Sequence, residues 1–214
     1  MAEVKICGIT DPEALQAALD GAAAYVGLVF FPKSPRNIDF NLGQMLSLRA
    51  RGKAQVVAVT VNADDALLET IHREVGPDYI QAHGMEPPRR LSEMRRFAKR
   101  GIIKAISIGD AADVARGAVF AQAADMLLFD AKAPPGADRP GGNAVAFDWH
   151  VLQGSRLETP WMLSGGLNSE NISAAIRASG AQIVDVSSGV ESAPGIKDPT
   201  RITAFLAAAS ANSA

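Results

Sequence analysis

The chain is poor in the residues that build disulfide frameworks and metal sites, with one cysteine, Cys7, and three histidines in 214 residues. A lone thiol excludes an internal disulfide and fits a reducing cytoplasm. Three dispersed histidines, with no cysteine or carboxylate cluster at ligand spacing, argue against a metal site. No apolar run approaches the roughly 18 residues of a membrane span. The opening residues, Met1 to Lys5, lack the basic, apolar and small-residue order of a secretory signal. Charge of one sign is also missing: the formal net charge is −2 and neither sign forms long blocks. The one dense basic cluster is Arg89, Arg90, Arg95, Arg96, Lys99 and Arg100. It accompanies an apolar stripe of Leu91, Met94 and Phe97 at helical spacing, so it reads as the wet face of a helix and not as a nucleic-acid surface.

What the chain does have is a repeat. Apolar residues make up 48% and charged residues 21%, enough to fill one sizeable core. No linker or composition shift marks a second domain. A short apolar run, a turn and a longer segment of helical period recur eight times. The strand segments are 4–7, 25–30, 55–61, 79–82, 102–106, 126–129, 161–163 and 183–186. Most are apolar without alternation, as parallel strands buried on both faces should be. Thr10-Asp11-Pro12-Glu13 opens the first helix with a capping-box pattern. Further helices are expected over 42–51, 65–75, 90–100, 111–122, 147–153, 169–179 and 199–209, with 207–214 as a fraying tail.

Eight such units predict a single-domain (β/α)8 TIM barrel over residues 1–214, compact beside the usual size of about 250 residues. An open doubly wound sheet also alternates strands and helices, but strand 1 lacks a Gly-x-Gly-x-x-Gly turn, and eight units are many for an open sheet.

In a barrel the active site lies at the C-terminal ends of the strands, which turns sequence position into geometry. After strand 7 comes Ser164-Gly165-Gly166-Leu167, with Asn168 as a helix cap; after strand 8 comes Ser187-Ser188-Gly189-Val190-Glu191. Glycines let backbone amides approach an anion, and loops after strands 7 and 8 are where barrel enzymes hold phosphate. A phosphorylated small molecule is therefore the expected ligand.

Cys7 ends strand 1. It reads either as a small buried apolar side chain or, if its thiol is activated, as a base or nucleophile. Asp130 follows four apolar residues at the end of strand 6. It reads as a cap, an ion-pair partner or an acid/base, since a carboxyl desolvated beside apolar walls can hold a proton near neutral pH. Arg36 sits in the proline-stiffened loop 32–36 after strand 2, where a guanidinium could grip a carboxylate or simply face solvent. Gln81 and His83 end strand 4, and a histidine there is more often a hydrogen-bonded structural residue than a catalyst. His72 and His150 fall in helical segments and read as structural.

Taken together these segments resemble a family. Val4-Lys5-Ile6-Cys7-Gly8-Ile9-Thr10 resembles the opening of phosphoribosylanthranilate isomerase, the barrel enzyme of tryptophan biosynthesis. The resemblance continues through Phe30-Phe31-Pro32-Lys33-Ser34-Pro35-Arg36, Gln81-Ala82-His83-Gly84, Leu127-Leu128-Phe129-Asp130, Pro140-Gly141-Gly142, Phe147-Asp148-Trp149, the Ser164 loop and 184–191. It spans essentially the whole chain. The opening heptapeptide and the strand-8 segment are specific, whereas Gly-Gly-Leu alone is not.

The resemblance implies an Amadori rearrangement of a phosphoribosyl aminoaldose to an aminoketose, without cofactor or metal. It implies Asp130 as general acid and Cys7, as thiolate, as general base. Arg36 would hold the anthranilate carboxylate. Gly165, Gly166, Ser187, Ser188 and Gly189 would hold the phosphate, and His83 and Asp185 would line the pocket. The expected protein is cytoplasmic, a monomer or homodimer, with no nucleic-acid or membrane partner. Two departures stand out: Ala82 where the family usually has a larger aliphatic residue, and Asn143-Ala144 where Thr-Gly usually follows Pro-Gly-Gly. A metal-dependent pentose-phosphate epimerase would need converging histidines. Indole-glycerol-phosphate synthase would need a lysine–glutamate pair, for which Lys5 and Lys104 are available. A non-catalytic phosphate binder should have lost Cys7 and Asp130.

Overall fold

The computed structural model describes residues 2–132, 147–154 and 157–211. Eight strands alternate with helices: β1 (Glu3–Cys7), α1 (Pro12–Asp20), β2 (Tyr25–Val29), α2 (Phe40–Ala50), β3 (Gln55–Thr60), α3 (Asp65–Glu74), β4 (Tyr79–Ala82), α4 (Pro88–Met94), β5 (Gly101–Ile108), α5 (Ala111–Arg116), β6 (Met126–Ala131), β7 (Trp161–Leu163), α6 (Ile172–Ser179) and β8 (Ile183–Val186). A two-stranded antiparallel hairpin, β9 (Glu191–Ala193) with β10 (Ile196–Lys197), precedes α7 (Pro199–Ser210). Each strand pairs in parallel with the next, and β1 pairs with β8, so the sheet closes into the expected barrel.

Local chemistry explains most element starts. Asp11, Asp39, Asp64, Asp110 and Asp198 each accept backbone amides of the first turn of α1, α2, α3, α5 and α7. They satisfy donors that have no partner within the helix. Asp11, not Thr10, caps α1. The Thr10 hydroxyl instead donates to the Gly195 carbonyl at 3.1 Å. Several helices are shorter than their periodicity implies. The 90–100 segment is α4 followed by a 3-10 turn at Arg95–Phe97, and 111–122 is α5 followed by Gly117–Phe120 in the same tight form. The helix expected over 147–153 is a 3-10 turn, Trp149–Leu152, capped by Asp148. Asn168 caps a turn, accepting the amides of Glu170 and Asn171, and α6 begins only at Ile172. Residues 207–210 are not frayed: α7 runs through Ser210 with Phe205 and Ala209 buried beneath it, while 212–214 lie outside the described residues. The 140–144 loop motifs also lie outside them.

Apolar side chains divide into two clusters. The larger draws on strands and helices alike and fills the layer between them. The smaller contains Cys7, Tyr25, Val29, Val57, Val59, Ile103, Ala105, Met126, Leu128 and Met162, strand residues only. Because no helix contributes, this cluster is the inside of the barrel. Its members carry odd numbers on β1, β2, β3 and β5 and even numbers on β6 and β7. Strand alternation then fixes which side chains share the interior: Lys5 with Cys7, Asp130 with Leu128, and, above β7, Ser164 with Met162.

Candidate active site

The polar interior sits at the C-terminal mouth. Cys7, 7% exposed, ends β1 directly above Lys5 on the same face. In register beside it on β2 is Gly27, where a side chain would press on the Cys7 sulfur, so glycine there leaves the thiol its space. Lys5 is fully buried and donates to Asp185 Oδ1 at 2.7 Å, while the Ser164 hydroxyl donates to Asp185 Oδ2 at 3.0 Å. Burial works against the Lys5 ammonium, but the Asp185 carboxylate and the neighbouring Cys7 outweigh it and hold the lysine charged. Burial pushes the Cys7 thiol above its ordinary range, and the Lys5 ammonium pulls it back in part. Asp185 thus spends both oxygens on protein groups and keeps a cation next to the thiol.

Across the mouth, Asp130 lies inside β6, one residue before its end, and is buried. Its Oδ1 accepts the Ala131 amide at 3.0 Å and its Oδ2 stands 3.4 Å from His83 Nε2. The Gln81 amide nitrogen lies 3.1 Å from His83 Nδ1. With that amide donating, the ring proton sits on Nε2, toward Asp130. Gln81 Oε1 and His83 Nε2 are buried, and beyond the 3.4 Å approach of Nε2 to Asp130 neither has a hydrogen-bond partner among the described residues. The structure thus brings His83 beside the Asp130 carboxyl at the barrel mouth.

The rim is made by the loops after β7 and β8, which pack on each other. Gly165 and Gly166 have φ of +95° and +66°, conformations that L side chains rarely adopt. A Cβ at Gly165 would also collide with the Ala131 backbone. A Cβ at Gly189 would strike the Leu167 carbonyl, so the 188–190 turn can lie against the Gly165-Gly166 loop only as glycine. The Ser187 hydroxyl donates to the Cys7 carbonyl at 3.0 Å, joining this rim to β1. Ser188 begins the turn and is partly exposed.

Arg36 is not a solvated surface residue. It is buried, and its Nε and Nη2 donate to Glu191 Oε1 and Oε2 at 2.6 and 2.9 Å. Glu191 also accepts Lys197 Nζ at 2.7 Å. Sequence reading missed Gly27, Glu191 as an ion-pair partner, Lys197 and the role of Lys5. The last had a visible signal, since a lysine between Val4 and Ile6 in an apolar strand needs a buried partner. Lys104, the other lysine considered for acid/base work, points away from the mouth. It donates to Glu86 Oε2 at 2.8 Å and to the Gly84 carbonyl at 2.7 Å. Among the described residues no three His, Cys, Asp or Glu side chains converge as metal ligands, and no helix is long and apolar enough to cross a membrane.

Fold and site together define a (β/α)8-barrel enzyme whose ionisable side chains gather at the C-terminal mouth. The family model described as N-(5'phosphoribosyl)anthranilate (PRA) isomerase matches residues 4–208. A relative of that name from Paramagnetospirillum magneticum is 50% identical over 207 residues, 97% of this chain and 96% of that protein. The crystal structure of phosphoribosyl anthranilate isomerase from Thermotoga maritima superposes with a TM-score of 0.86 at 32% identity, covering 99% of this chain and 100% of that one. A phosphoribosyl anthranilate isomerase in complex with reduced 1-(o-carboxyphenylamino)-1-deoxyribulose 5-phosphate superposes with a TM-score of 0.84 at 31% identity, again over 99% and 100%. The chain belongs to the N-(5'-phosphoribosyl)anthranilate isomerase family.

Proposed function

We propose that Asp130 and Cys7 are the acid and base with which this chain isomerises N-(5'-phosphoribosyl)anthranilate to 1-(2-carboxyphenylamino)-1-deoxyribulose 5-phosphate in tryptophan biosynthesis. The observation that carries the assignment is that both side chains face the barrel interior at its C-terminal end, on strands β1 and β6 of the ring. Protonated Asp130 gives its proton to the ribose ring oxygen as the C1–O bond breaks and the anilino nitrogen forms the C1 iminium. The iminium acidifies the C2 hydrogen, which the Cys7 thiolate removes; the electron pair of that C–H bond forms the enolamine. Tautomerisation to the C2 ketone completes the Amadori rearrangement with no cofactor.

The other side chains hold and tune. Lys5, kept in place by Asp185, stabilises the thiolate through its charge. A thiol raised by burial is a stronger base once ionised, which suits abstraction of a carbon-bound proton. His83 keeps the Asp130 carboxyl aimed, Arg36 takes the anthranilate carboxylate, and Gly165, Gly166, Ser187, Ser188 and Gly189 take the phosphate. We place this single catalytic domain of residues 1–214 in the cytoplasm, as a monomer or homodimer.

Freshly made phosphoribosylanthranilate, incubated with the purified protein without added metal, should lose its fluorescence faster than it decays alone. A rate no higher than the spontaneous one would end this reading.

A further inference from the structure

Arg36 and Glu191 are 155 residues apart and meet as a side-on fork, with Nε and Nη2 on the two carboxylate oxygens. The carboxylate does more than neutralise one arginine. Its Oε1 also accepts Lys197 Nζ, and its Oε2 accepts the Gly195 amide at 3.3 Å. Lys197 in turn donates to the Ser187 carbonyl at 2.9 Å, and Arg201 donates to the backbone carbonyl of Glu191 itself. Hairpin β9–β10 supports this from behind: Gly195, with φ of +84°, lies against the Pro35 carbonyl where any side chain would collide. The hairpin is thus seated on the loop that carries Arg36.

Donor counting shows what the arrangement leaves over. Two buried basic side chains, Arg36 and Lys197, share the Glu191 carboxylate, and burial lowers the Lys197 ammonium from its ordinary range. A guanidinium has five N–H donors. Two are spent on Glu191, along one edge, and Nη1 makes no hydrogen bond among the described residues. Burial would raise the Glu191 carboxyl, yet the Arg36 and Lys197 partners outweigh it and hold it below its usual range, so it stays ionised.

We infer that Glu191 is a positioning residue for the carboxylate end of the substrate: by taking the Nε edge of Arg36 it aims the outer Nη1–Nη2 edge at one planar carboxylate. This rests on the reading of Arg36 as the carboxylate grip. It assigns specificity for an acidic aglycone to the hairpin after β8, through a residue that does not itself touch substrate. The loops read as the phosphate end have a support besides Glu191, since Lys197 also donates to the Ser187 carbonyl and hydroxyl.

The test uses Glu191→Gln, Arg36→Ala and the double variant in the full chain, with steady-state kinetics and with anthranilate and inorganic phosphate as separate inhibitors. Loss of a charge-assisted partner predicts a KM about 10- to 100-fold higher for Glu191→Gln, with kcat within about threefold. Anthranilate inhibition should weaken while phosphate inhibition holds. In the Arg36→Ala background, Glu191→Gln should add no further rise in KM. A raised KM in Arg36→Ala with a normal KM in Glu191→Gln overturns the inference and leaves the reading of Arg36 standing. A normal KM in Arg36→Ala overturns both. Equal weakening of anthranilate and phosphate makes Glu191 a general support of the mouth and also overturns it. If Glu191→Gln does not fold, Glu191→Asp, which keeps the charge but withdraws it by one methylene, should show the same KM-only defect; an unchanged KM there overturns the proposal.

Discussion

Lys5 and Lys104 are both buried, and each donates to a carboxylate at a similar distance, 2.7 Å to Asp185 and 2.8 Å to Glu86. They stand on opposite faces of the barrel wall. Lys104 lies outside, against the Phe120 ring, and besides Glu86 it donates to the carbonyls of Gly84 and Ala82. Its three protons are spent, and Glu86 is likewise filled by the amides of Asn62 and Gly84. That cluster ties the loops after β3 and β4 together. Lys5 lies inside, where Asp185 takes one proton and the Cys7 sulfur is the other neighbour. One lysine is a saturated clasp; the other holds its charge beside a thiol. Burial and an ion pair are common to both, so neither marks a functional residue. What the remaining donors face does.

The sharpest way to break this comparison is to remove the chemistry itself. Cys7→Ala and Asp130→Asn should each lower kcat about 10²- to 10⁴-fold while KM changes little, because each positioned acid or base contributes about that much. Unchanged turnover in either variant removes that residue from the mechanism.

Next come the lysines. Stripping one partner from a buried pair costs about 3–5 kcal/mol, so urea unfolding should show Lys5→Met and Lys104→Met comparably destabilised. Only Lys5→Met should move the pH profile. With the thiol raised by burial, kcat/KM of the unaltered enzyme should climb from about pH 7 past the ordinary thiol range near about 8.5. Without the Lys5 charge that climb should shift to still higher pH. A profile shifted equally by Lys104→Met would erase the distinction between the two faces.

A smaller effect separates Glu191 from both. Its carboxyl titrates below its ordinary range, so the stability it contributes is fully present above the unfolded value of about 4.3. That contribution is lost as pH falls through the lower, folded-state value. The stability curve of Glu191→Gln should therefore be flatter below about pH 4.5 than that of the parent. An equally steep acid limb would show that other carboxylates dominate there. Smallest of all is Arg89→Ala. Arg89 is 90% exposed and its 3.0 Å pair with Glu93 is solvated. Its loss should change stability, measured by urea unfolding, by less than about 0.5 kcal/mol. A larger loss would mean the basic face of α4 does more than meet water.

That face illustrates where the one-dimensional reading held and where it thinned out. Arg90 and Arg96 both reach Asp65, and Arg95 reaches Asp125, so the basic cluster is an ion-paired outer surface, in keeping with a helix face turned from the core. The eight strands were visible because parallel strands buried on both sides are continuous apolar runs. Helix ends were not, since the last turns of α4 and α5 tighten into 3-10 geometry to fit their packing. The β9–β10 hairpin left no signal, being three and two residues long.

By itself the sequence determined the repeat, the barrel, and the arrival of Cys7, His83 and Asp130 at the ends of strands, because hydrophobic period and turn chemistry are local properties. Only the closed barrel decided which of them meet. Pairing of β1 with β8 brings the chain's two ends together, so that Lys5 finds Asp185 across 180 residues and Arg36 finds Glu191 across 155. Strands without alternating polarity also conceal which side chains face inward. That choice, made by register and closure, is what separates a lysine beside a thiol from one that clasps a loop.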